Sequence, residues 1–183
     1  MDGVYYNDTR EPFLIADAAA VTLAATNKAL LPAGAYPPLG GNYFARPGKK
    51  ISLRAFGKIT TAATPGNLTL AVLMGNGADA NGVSLAASAA QTLIASQTNI
   101  SWMVELVIHC RTIGNAGTLF MTGYARFGVA VIAVGEFLIP ASAAVVSGAI
   151  DLTTALVPSI QVLRSGSTAE TMTVQDFELV ALN

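Results

Sequence analysis

An antiparallel all-β sandwich is the fold this sequence predicts. Three observations predict it: a long hairpin of period two, further alternating runs separated by turn signals, and no helical period longer than about two turns. The hairpin is the clearest. Ile100, Trp102, Val104, Leu106, Ile108 and Cys110 occupy every second position, and Ser101, Glu105, His109 and Arg111 fill most of the gaps. A period of two sends one stripe into a core and the other outward, as a half-buried strand requires. The turn-like Gly114-Asn115-Ala116-Gly117 follows, and then a second alternating run of Leu119, Met121, Gly123 and Ala125.

The remaining elements follow in chain order. Residues 1–19 are the most polar and aromatic stretch, with Tyr5, Tyr6 and Phe13 among Asp8, Arg10 and Glu11, and without strand or helix period they read as an extended arm. Residues 20–48 combine a first short strand near 20–26 with a Pro- and Gly-rich connector, whose Pro37-Pro38 and Gly40-Gly41 pairs oppose regular structure. Residues 49–183 form the sandwich domain. Its first strand alternates Ile51, Leu53, Ala55, Gly57 and Ile59 with Ser52, Arg54, Phe56 and Lys58. After Pro65-Gly66 comes a second strand through Leu68, Leu70, Val72 and Met74, then a loop over 75–82.

Residues 83–95 are rich in Ala, a helix former, but Val83, Thr92 and Ile94 favour a strand. Beyond the hairpin strands at 99–112 and 118–127, short strands are expected near 129–134 and 143–150. Pro158 places the next strand at Ser159 onward or on a sheet edge. The last segment changes phase, because Met172 and Val174 share one parity while Phe177, Leu179 and Ala181 share the other. A β-bulge at Gln175-Asp176 would bring both sets onto one face.

Composition narrows the function classes. The 183 residues suit one domain with an extension, and are 52% hydrophobic and only 11% charged, against about 25% charged in ordinary domains. A membrane helix needs about 20 unbroken apolar residues, and Glu136 and Pro140 break the best window, 127–150. The alternative is a surface largely covered by neighbours in an assembly. Net charge is −1 with no run of Lys or Arg, which argues against nucleic acid, since neutralising phosphates takes clustered cations. The N-terminal stretch lacks the basic start and apolar core of a signal peptide, so synthesis and retention in a cytoplasm are expected.

No catalytic set, cofactor site or metal site is expected. His109 is the one histidine and falls on the outward parity, whereas Cys110, the one cysteine, points inward as a small core residue. Asp17, Asp79, Glu105, Glu136, Asp151 and Asp176 are scattered singly, without the pairing that glycoside hydrolysis or calcium binding requires. Gly75-Asn76-Gly77 is followed by no Lys-Ser/Thr and no helix start, so it is not a phosphate cradle. Tyr5, Tyr6 and Phe13 are the candidate docking residues of the arm, for each can bury about 150–250 Å². They pack either on their own sandwich or on another subunit. Met103 and Val107, apolar on the outward stripe, are candidate oligomer contacts. Phe56, Phe120 and Tyr124 are the aromatics eligible for a carbohydrate-binding sheet face.

The run Asn42-Tyr43-Phe44-Ala45-Arg46-Pro47-Gly48-Lys49-Lys50-Ile51-Ser52-Leu53-Arg54-Ala55-Phe56-Gly57, with Thr64-Pro65-Gly66-Asn67-Leu68-Thr69-Leu70, Trp102, Arg111-Thr112-Ile113-Gly114 and Phe177-Glu178-Leu179, resembles small virion proteins of tailed phages of actinobacteria. The likeness covers about residues 35–183 and leaves out the arm. It implies a jelly-roll-like β-sandwich, trimeric, on the outside of a particle. The function it implies is capsid decoration (cement): a homotrimer bound to the major capsid protein on the capsid exterior, assembled in the host cytoplasm. A tail or fibre component, or a carbohydrate-binding sandwich used in host-surface recognition, is the alternative.

Overall fold

The computed structural model describes residues 17–31, 35–36, 38–75, 82–165 and 170–182. The described residues hold eleven strands and no helix. In chain order these are β1 (Val21–Thr22), β2 (Lys28–Ala29), β3 (Lys50–Thr60), β4 (Asn67–Gly75), β5 (Val83–Ala87), β6 (Gln91–Thr92), β7 (Ile100–Thr112), β8 (Thr118–Phe127), β9 (Glu136–Ile139), β10 (Val157–Arg164) and β11 (Thr171–Ala181). They form two antiparallel sheets. One runs β1-β11-β3-β7-β8-β9 and the other β2-β10-β4-β5, with β6 also on β4.

The topology is jelly-roll-like. Strand β3 pairs β11 in the larger sheet, and their chain neighbours β4 and β10 pair in the smaller one. The four strands therefore make one antiparallel ribbon that folds over from sheet to sheet, closing the core between its halves.

Period two explains most of the packing. Ile51, Leu53, Ala55 and Ile59 of β3, Leu68, Leu70, Val72 and Met74 of β4, and Trp102, Val104, Leu106, Ile108 and Cys110 of β7 are all buried. Strands β7 and β8 form the expected hairpin, from Trp102 opposite Phe127 to Cys110 opposite Leu119. Gly57 lies directly opposite Trp102. A Cβ on Gly57 would fall 2.7 Å from the indole and 1.9 Å from the Thr173 carbonyl, so only glycine lets the ring lie across β3.

The phase change in β11 is resolved by a bulge. Val174 pairs Gly57 and Asp176 pairs Phe56, leaving Gln175 as the extra residue. Met172, Val174 and Phe177 thereby all reach the core. Pro158 lies inside β10, opposite Met74. On β10 the even-numbered residues turn their backbone groups away from β4, since Leu156 bonds Leu39 and Arg164 bonds Ala24. The N–H that proline lacks thus falls on that outer side, between the Leu39–Leu156 bridge and the short β2. The strand therefore starts before the expected Ser159 and lies inside the sheet, and proline is tolerated because β10's outer side carries no ladder partner at that one position.

Three stretches depart from expectation. The single strand expected over 83–95 is two, because Ser88 turns in and its Oγ accepts the Leu70 N–H at 3.0 Å. Residues 129–134 form turns rather than a strand, anchored by buried Val131 and Ile132. Residues 143–150 form no strand: they meet β8 at the isolated bridge Phe120–Val146, where Ser147 Oγ also accepts the Leu119 N–H at 3.0 Å, and the turn before it at Gly117–Ile150, and the strand of this region is β9. The connector is built into the sandwich: Leu30, Leu31, Tyr36, Leu39 and Phe44 are core residues, and the Tyr36 hydroxyl donates to the Ile160 carbonyl at 2.8 Å. No helix among the described residues is long and apolar enough to cross a membrane.

One charged pair is internal. Arg164 on β10 and Glu170 before β11 meet at 2.7 Å, with side chains only 6% and 0% exposed. Burial of this kind is tolerated only when both charges are held together.

Candidate interaction surfaces

The outward stripes of the larger sheet carry the polar residues that alternate with the core. Their strand registers line them up in rows across the sheet. One row reads Glu178, Arg54, Glu105, Tyr124 and Leu138 from β11 to β9. Arg54 Nε donates to Glu105 Oε1 at 2.7 Å, and its second terminal nitrogen reaches the same oxygen. Glu178 lies 3.9 Å from Arg54, and the Tyr124 hydroxyl donates to Glu105 Oε2. These contacts hold the Glu105 carboxyl below the usual carboxylate range, the Tyr124 hydrogen bond first and the Arg54 guanidinium second. The same bond, with Tyr124 as donor, pushes the phenol up.

The next row holds shorter side chains: Val180, Ser52, Val107 and Thr122. Beside a row of long polar groups, short ones leave a trough. An open depression of about 420 Å³ lies here, lined by both rows and by Leu182. Beyond it stand Lys50, His109 and Phe120. The Phe120 ring packs edge-on against His109 at 6.0 Å and lies under Arg111 at 4.4 Å. Burial first, then the charges of Lys50 and Arg111, lower the His109 pKa from its ordinary value. Cys110 is buried, and burial pushes its thiol up.

A second surface follows the side of β8 away from β7. Val129 and Val134 in the β8–β9 turn, Leu138 on β9, and Val145 and Val146 beside the start of β8 are 52–71% exposed. Strand β9 spans only four residues. Phe127 N–H bonds Gly135 O, so the odd residues of β9 pair with β8 and Leu138 alone turns both backbone groups outward. The edge therefore offers side chains more than a backbone ladder.

Tyr5, Tyr6 and Phe13 lie outside the described residues. The carboxylate of Asp17 meets Lys58 at 3.1 Å and Gln175 Nε2 at 3.2 Å on the outer face of the larger sheet. Met103 and Val107 are on that outer face as expected, both half-buried, with Val107 in the trough floor and Met103 opposite Phe56. Phe56, Phe120 and Tyr124 share the face but stand in three different rows, so they form no common platform. Only Tyr124 borders the trough. Arg54, Glu105 and Glu178 do not stand out as a group in the sequence, because residues so far apart in the chain meet only through strand register. Among the described residues no group of three or more His, Cys, Asp or Glu side chains is placed to hold a metal ion. Asp79 and Asn81, in the loop after β4, lie outside the described residues.

No protein-family model and no curated protein sequence matches the chain. Among solved structures, it is similar to the binding domain of botulinum neurotoxin serotype C1, with 11% identity over 74% of this chain and 34% of that one, at a TM-score of 0.28. A second structure, described as showing that cell entry of botulinum neurotoxin type C depends on interaction with two ganglioside molecules, has 10% identity over 74% of this chain and 33% of that one, at a TM-score of 0.22. The chain thus spans about a third of the length of the solved structures it matches.

Proposed function

We propose that this chain is a structural virion protein, a decoration protein that binds the outer capsid lattice of a tailed phage as a homotrimer and reinforces it. The observation that carries the reading is the apolar rim along β8 and β9. Five aliphatic side chains stand exposed there, and covering one fully contributes about 1.5–3 kcal/mol. A second copy of the chain is the partner assigned to the rim, and a head-to-tail contact whose rotation closes after three copies gives the ring. The low charge of the sequence and its resemblance to phage virion proteins support the same reading.

The mechanism is clamping. Each copy docks on the major capsid protein, and the trimer links neighbouring capsid subunits, so separating those subunits requires breaking several contacts together. Residues 1–19 are the docking arm. The test adds purified protein to capsids lacking it and measures bound copies per particle. Saturation at hundreds of copies is expected, with loss of binding on deletion of residues 1–19. Binding of a handful of copies, or none, would overturn the reading.

A further inference from the structure

We infer that the trough across the larger sheet is a binding site for a neutral sugar. Such a site would serve the molecule whether or not it docks on a lattice. Its wall is a row of planar polar groups, and its floor is Val107 and Val180 with Ser52 and Thr122 between and beside them. A sugar ring needs both, hydroxyls meeting carboxylate and guanidinium groups at its rim and C–H groups lying on an apolar floor. The wall is also pre-set. Arg54 and Tyr124 each bond Glu105, so the groups are ordered before a ligand arrives and less entropy is lost on binding.

Geometry and charge choose the ligand class. The trough crosses the strands, whereas an extended peptide that adds to the sheet must run along them, at the edge of β11 that β1 leaves uncovered beyond Met172. Four strands at about 4.8 Å spacing give it a length of about 14 Å, enough for a short oligosaccharide rather than one small ion. The lining carries two carboxylates, Glu105 and Glu178, against one guanidinium, Arg54. An acidic sugar would therefore meet net repulsion, and Lys50 stands one row further out, beyond the lining. A neutral or amino sugar meets none.

The full chain is to be screened on an array of neutral and sialylated glycans, and the best neutral binder titrated by NMR. Shifts centred on Ser52, Val107 and Thr122 are expected, and Thr122→Arg, which fills the trough from an exposed position, should weaken binding at least tenfold. Glu105→Gln keeps the shape and should weaken binding severalfold, which gives a second readout if Thr122→Arg disturbs the sheet. Absence of any neutral-glycan binding, preference for sialylated glycans, or binding that neither variant changes would overturn the assignment.

Discussion

Gly57 on β3 lies directly opposite Trp102 on β7, and the indole occupies the space a side chain at position 57 would take. The largest core residue and the absent side chain are therefore one feature. Gly57→Ala should lower stability by about 1–3 kcal/mol or more, as overpacking does. Trp102 Nε1 is buried without a hydrogen-bond partner, so Trp102→Phe removes an unmet donor along with some volume. Its loss should be the smaller of the two. Urea unfolding of the two variants checks the order.

The bulge in β11 makes an unusual prediction about deletions. Removing Gln175 leaves Val174, Asp176 and Phe177 in a regular ladder against Gly57, Phe56 and Ala55. That deletion should cost only about 1 kcal/mol. Removing Thr173 throws Met172 or Val174 out of phase with the core, because a one-residue slip reverses the faces. The second variant should fail to fold cooperatively, as judged by circular dichroism and thermal melting.

The Arg164–Glu170 pair is nearly inaccessible to water. Glu170→Gln leaves a buried guanidinium facing a neutral amide, and a loss of about 3–5 kcal/mol is expected. Thermal unfolding at neutral pH measures it.

Acid should weaken the sheet through Glu105. Its carboxyl is held below the ordinary value by Tyr124 and then Arg54. A group whose folded pKa is depressed contributes stability above its unfolded value, and that stability is lost as pH falls through the folded value. The contribution should therefore be complete at neutral pH and fade below the usual carboxylate range. Tyr124→Phe should move the Glu105 midpoint upward in an NMR titration and shrink the acid-dependent loss.

Much of the fold is legible in the sequence where one face alone is buried. In β3, β7 and β8 polar residues mark the outward stripe, so both faces declare themselves. The bulge is legible because Val174 and Phe177 cannot otherwise share a side. Residues 128–150 are not legible for the opposite reason. Val129, Val134 and Val145 are as apolar as Val131 and Ile132, yet the first three are exposed and the last two are core. The connector hides its contribution differently, since Leu30, Tyr36 and Phe44 anchor it singly without period. The trough is invisible in one dimension, for its rows exist only once β11, β3, β7 and β8 are in register.

The rim along β8 and β9 is the centre of the functional reading, and mass in solution tests it most directly. Light scattering on the intact chain should report three copies, and Leu138→Glu combined with Val145→Glu should report one, with the β signal unchanged. An intact chain that stays monomeric at high concentration, or a trimer indifferent to both charges, would contradict it.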